Sequence, residues 1–180
     1  MSALALGNTF RIKVKAYNYA GVAESPVLGV VFASLPDQPP IPTKIESESD
    51  SQQITIDISD FPEESNGGCD IKTFEIQMDD GNGGSFVSQV GQDSVIPYLT
   101  EWFRATNLIK GRVYRFRYRA LNCHGWSPFS DELYAIAAEE PKQPEAVEMQ
   151  STSATAVSLK LFPVSDNMGA VVTAYTLYRN

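Results

Sequence analysis

The chain has 180 residues, 43% of them apolar, and a formal charge of −8. That charge argues against non-specific binding to nucleic acid or anionic lipid, both of which need a basic surface. No apolar run reaches the length of a membrane-spanning helix, and two cysteines and one histidine leave little material for metal or thiol chemistry. Met1 to Leu6 lack the basic start of a secretory signal peptide, so a signal or an anchor would lie outside this piece. There is no Asn-x-Ser/Thr acceptor for an N-linked glycan.

The first element along the chain, GNTFRIKVKAYNYAG (7–21), returns as GRVYRFRYRALNCHG (111–125). A shift of 104 pairs Gly7 with Gly111, Phe10 with Tyr114, Ile12 with Phe116 and Val14 with Tyr118. It also pairs Ala16 with Ala120, Asn18 with Asn122 and Gly21 with Gly125. Next comes LPDQPPIP (35–42), a junction that proline stiffens and that cannot donate fully to a sheet ladder. Ile54, Ile56 and Ile58 then alternate with polar residues, as do Phe74, Ile76 and Met78. Such a period of two predicts half-buried strands. DDGNGG (79–84) follows and has the composition of a hairpin turn.

Segment 111–121 carries Tyr114, Phe116, Tyr118 and Ala120 on one face of a predicted strand and Arg115, Arg117 and Arg119 on the other. A second Pro-rich junction is EEPKQP (139–144). Beyond it, NMGAVVTAYTLY (167–178) repeats NGGCDIKTFEIQ (66–77) at a shift of 101, and Phe162-Pro163 repeats Phe61-Pro62 at the same shift. A repeat of about one hundred residues is the size of a small β-sandwich. Helical periodicity stands out nowhere, so the chain is predicted to be all-β.

At these residues the chain resembles the fibronectin type III family, over essentially its whole length. The middle unit carries most of the pattern: a first strand near 43–48, a second over 52–60, and the loop at Asn66-Gly67-Gly68 leading into Phe74-Glu75-Ile76. Leu108, Gly111 and Tyr114 match the family's tyrosine corner, and RYRALNCHG (117–125) its following strand. The family's Trp on the second strand is missing, so Ile58 or Phe61 must fill that volume. The resemblance implies an immunoglobulin-like β-sandwich in tandem modules. Residues 1–35 would be the last two strands of one module, 36–139 a complete module, and 140–180 the first three strands of another. The wording of the repeats is most similar to long repeat arrays of protist, particularly ciliate, proteins.

Within this sandwich, Cys69 and Cys123 fall in loops at one pole, on neighbouring strands. A disulfide is the favoured expectation, against free buried thiols or a metal site recruiting Asp70 and His124. GWSPFS (125–130) resembles, with Phe for the second Trp, the Trp-Ser-x-Trp-Ser element of cytokine-receptor modules. Trp126 is therefore expected to stack on Arg115, Arg117 and Arg119 as a cation–π ladder, either self-contained or facing a ligand. Asp79-Asp80-Gly81-Asn82 reads as a turn rather than a calcium loop, and Glu46-Ser47-Glu48-Ser49-Asp50 as a solvated one. Cys123-His124 lacks a third group to orient the imidazole for catalysis.

These features imply no enzyme, no cofactor and no metal, but a structural spacer and protein-interaction module of a long array. Its expected partners are proteins, including neighbouring copies or further modules of the same array, with no nucleic acid and no direct membrane insertion. Its expected place is extracellular or at the cell surface, as part of a filament or a surface array. The alternatives are a ligand-binding receptor ectodomain and a cytoplasmic or ciliary scaffold.

Overall fold

A computed structural model describes residues 6–179. The first stretch folds as one long hairpin divided into two ladders. β1 (Thr9–Ile12) pairs antiparallel with β4 (Leu28–Val31), and β2 (Lys15–Asn18) with β3 (Gly21–Glu24).

Two sheets follow. One has the order β5 (Thr43–Lys44), β6 (Ile54–Asp57), β9 (Trp102–Ala105). The other runs β11 (Leu133–Ile136), β10 (Val113–Leu121), β7 (Thr73–Met78), β8 (Val87–Val90). Their inner faces meet in a core of Ile54, Ile56 and Ile58 from one sheet and Ile76, Tyr114, Phe116 and Tyr118 from the other. The molecule is an all-β sandwich of the fibronectin III and immunoglobulin-like kind. Alternation along β10 does most of the positioning. It buries Tyr114, Phe116, Tyr118 and Ala120 and sets Arg115, Arg117 and Arg119 half-buried on the outer face.

The tyrosine corner is formed: the backbone N–H of Ile109 donates to the Tyr114 hydroxyl at 2.9 Å. Of the two residues expected to stand in for the missing Trp, Ile58 belongs to the buried core cluster and Phe61 reaches it through Phe74, whose ring it meets edge-on at 5.6 Å. Tyr118 is a different case. Its hydroxyl is buried with no hydrogen-bond partner among the described residues. Burial, with help from the charges of Asp60 and Asp57, pushes its ionisation well above the usual tyrosine range. An orphaned buried hydroxyl costs stability, so Tyr118→Phe is expected to leave the fold equally stable or up to about 1 kcal/mol more stable in urea titrations. A loss of stability would show that the hydroxyl is satisfied in solution.

Three strands differ from expectation. The first, expected near 43–48, stops after Lys44 and gives way to a 3-10 turn over Glu46–Glu48. Local side-chain bonds capture that backbone: Ser49 Oγ donates to the Ile45 carbonyl, Thr55 Oγ1 to the Glu48 carbonyl, and Thr55 N–H to Ser49 Oγ. The second, expected over 52–60, shortens to Ile54–Asp57 because Asp50 and Asp57 draw the flanking N–H groups of Gln52, Gln53 and Ser59 into turns.

In the final stretch, β12 (Glu148–Thr152) pairs with β13 (Val157–Lys160), but residues 171–179 form no strand. The matching strand of the middle unit, β7, takes its ladder bonds from β10 and β8 on either side. Among the described residues after 140 no strand pairs with 171–179 in that way.

Candidate functional site: an arginine–aromatic ladder

The outer face of β10 carries three arginines at alternate positions, and antiparallel pairing sets a polar residue of the β7 strand opposite each. Arg119 faces Glu75 and Arg117 faces Gln77 in register, while Arg115 reaches Asp79 just past the strand end. Every guanidinium is hydrogen-bonded in its plane. Arg119 Nε donates to Glu75 Oε2 at 2.6 Å, Arg117 Nε to Gln77 Oε1 at 3.0 Å, and Arg115 Nε to Asp79 Oδ2 at 2.8 Å. Glu75 and Asp79 are almost fully buried, and such carboxylates persist only when paired.

Aromatic rings close over the guanidinium faces. Phe86 lies 4.8 Å from Arg115 and 4.0 Å from Arg117. Phe129 lies 4.1 Å from Arg117 and 4.5 Å from Arg119, and Trp126 lies 4.4 Å from Arg119. The order along the ladder is therefore Arg115, Phe86, Arg117, Phe129, Arg119, Trp126. Sequence reasoning placed Trp126 against all three arginines, but in the fold it covers Arg119 alone. Phe86 and Phe129 supply the missing rungs.

The segment 126–130 holds its two rings by a serine device. The N–H of Ala120 donates to Ser127 Oγ and that of Tyr118 to Ser130 Oγ, at 3.0 and 3.1 Å. Each hydroxyl then donates to the carbonyl of the next residue, Pro128 or Asp131. The reverse bonds, Ser127 N–H to Ala120 O and Ser130 N–H to Tyr118 O, fix the segment along the edge of β10. The spacing of the two serines, Ser127 and Ser130, therefore sets which rings overhang the arginines.

Asp79 feels opposing influences. Burial, the largest, would raise its carboxyl. Hydrogen bonds from the Arg115 backbone and guanidinium and from the Gly81 N–H together outweigh it and hold the group below the usual carboxylate range. Asp79 and Asp80 thus serve the turn. Asp80 accepts from the N–H groups of Asn82 and Gly84, which hold its carboxyl low in the same way.

Cys69 and Cys123 are bonded, with Cα atoms 6.0 Å apart across a sequence separation of 54. The bridge links the loop before β7 to the turn after β10, next to the last ladder pair of those strands, Thr73 and Leu121. Among the described residues no group of three or more His, Cys, Asp and Glu side chains is placed to hold a metal ion. Asp70 and His124 are exposed and form no such cluster.

A three-plus-four-stranded sandwich with a tyrosine corner and this outer ladder defines a fibronectin type III-like domain. The comparisons with known proteins agree. The chain is 27% identical over 135 residues to "Fibronectin type-III domain-containing protein 3A" of Homo sapiens, covering 75% of this chain and 11% of that protein. It is 25% identical over 171 residues to the protein of that name in Gallus gallus, covering 93% of this chain and 14% of the relative. The chain therefore spans a small part of the length of these relatives. No family model matches it. A crystal structure of titin domains superposes with a TM-score of 0.56 at 22% identity, covering 71% of this chain and 40% of the titin chain. That likeness concerns the fold.

Proposed function

We propose that this chain is a structural spacer and protein-interaction segment of a longer array of fibronectin type III-like modules, at a cell surface or in an extracellular filament. The observation that carries this reading is that residues 7–32 repeat the ladder of β10 with β11 and several of its side-chain bonds. Val14 N–H donates to Ser25 Oγ as Tyr118 N–H does to Ser130 Oγ. The Asn18 side chain accepts from the N–H groups of Ala20 and Gly21 as Asn122 does from His124 and Gly125. Equivalent bonds at equivalent positions support a second module of the same kind ahead of the middle one.

The ladder serves the module's own stability in this reading, since its arginines are already bonded and covered. The disulfide favours an oxidising compartment, where such bonds persist. Among the described residues no helix is long and apolar enough to cross a membrane. Mass spectrometry of the endogenous protein tests the proposal. After alkylation of intact cells without reductant, the Cys69–Cys123 peptide pair is expected bonded, together with peptides from further copies of the repeat. A mature protein of only about this size, or two freely alkylated thiols, overturns it.

A further inference from the structure

Two places where successive repeats meet use the same contact, although their sequences differ. At the first, the N–H of Ser34 donates to the Gly67 carbonyl and that of Asp37 to the Ser65 carbonyl, each at 2.9 Å. At the second, the N–H of Glu139 donates to the Met168 carbonyl at 3.0 Å and that of Lys142 to the Asp166 carbonyl at 3.1 Å. The donors lie 105 residues apart and the acceptors 101 apart in both pairs, so these are one set of bonds made twice.

A pair of glycines repeats beside them. A side chain on Gly68 would lie 2.3 Å from the backbone nitrogen of Gly7, and one on Gly169 would lie 2.9 Å from that of Gly111. All four have positive φ, between 80° and 96°, which favours glycine at each, and close approach adds a second reason at Gly68 and Gly169. The buried amide of Asn122 reinforces the first joint by donating to the carbonyls of Ser34 and Asn66, at 2.7 and 2.8 Å. The second adds a Lys110–Asp166 ion pair at 2.9 Å. Their counterparts at the first joint are Leu6 and Ser65.

We propose that this contact is a built joint whose partner is the preceding module of the same chain. The corner and outgoing linker of one module seat the 65–68 loop of the next and fix its orientation, so the array propagates with one defined twist. The inference rests on the array reading above but is tested separately, within the 180-residue chain itself.

Hydrogen exchange by NMR reads the four donors. The amides of Ser34, Asp37, Glu139 and Lys142 are expected to exchange at least about a hundredfold more slowly than in an unstructured peptide. Residual dipolar couplings of β1–β4 and of the middle module are expected to fit a single alignment tensor. Gly68→Ala should speed exchange at Ser34 and Asp37 and leave Glu139 and Lys142 unchanged. Unstructured exchange rates at either joint while Ile76 and Phe116 stay protected, or two independent tensors, overturn the joint. A protein found to lack further copies would overturn the array and leave these measurements as they stand.

Discussion

Replacing Cys69 and Cys123 together by alanine is expected to lower the unfolding free energy by about 4 kcal/mol on the chain-entropy relation for a loop of this length. The folded state itself should change little. β7 and β10 are already joined by six ladder pairs, from Phe116–Met78 to Leu121–Thr73, so the bridge adds no pairing that the sheet lacks. Its effect falls on the unfolded chain, where releasing 54 residues of separation restores conformational freedom. Urea titration should show a lower midpoint with a larger m value, as the unfolded ensemble expands. On melting, the loss corresponds to roughly 20 °C for a domain of about one hundred residues. A shift below about 1 kcal/mol would mean that the unfolded chain stays compact without the bridge.

The second large effect comes from the ladder. Arg119→Ala strands the buried Glu75 carboxylate, leaving it the Gln77 side-chain amide as its remaining donor, at 2.9 Å. Breaking a buried pair from one side costs about 3 kcal/mol or more, and the cation–π contacts with Trp126 and Phe129 are lost as well. Removing both charges is a different matter. The Glu75→Leu/Arg119→Leu double variant should lie within about 1 kcal/mol of the parent, because no charge is left unpaired. A double-mutant cycle isolates the coupling. A double variant as unstable as Arg119→Ala would sink the account.

The same network shapes the acid limb of the stability profile. The Asp79 carboxyl is lower in the folded state than in the unfolded chain, where it titrates near the ordinary value of about 3.9. Its contribution is therefore complete above that ordinary value and drains away as pH falls through the lower folded one. Asp79→Asn should flatten the loss of stability in that range.

Particular residues show how far the sequence could be read. The alternation of Tyr114, Phe116, Tyr118 and Ala120 with Arg115, Arg117 and Arg119 gave both faces of β10, since a strand's period of two is a local property of its backbone. The ladder's other half was present in the same form, as Glu75, Gln77 and Asp79 at alternate positions. An antiparallel pairing of the two runs would have matched acid and amide to arginine. Phe129 was visible as the stand-in for a second Trp, whereas Phe86 carried no signal beyond its place after a turn. The shortened strands escaped notice because Ser49, Asp50, Asp57 and Thr55 compete for backbone bonds that composition alone assigns to the ladder.

What the sequence determined by itself, then, is the module: its all-β class, its repeat, its tyrosine corner and its pair of cysteines, each encoded by residues whose spacing has a local or periodic meaning. The tertiary structure alone decided the register of β7 against β10, the order of the aromatic rungs and the bonds of the joints. Those depend on which distant backbone groups meet once two sheets and a linker have packed, and no periodicity along a single strand contains that information.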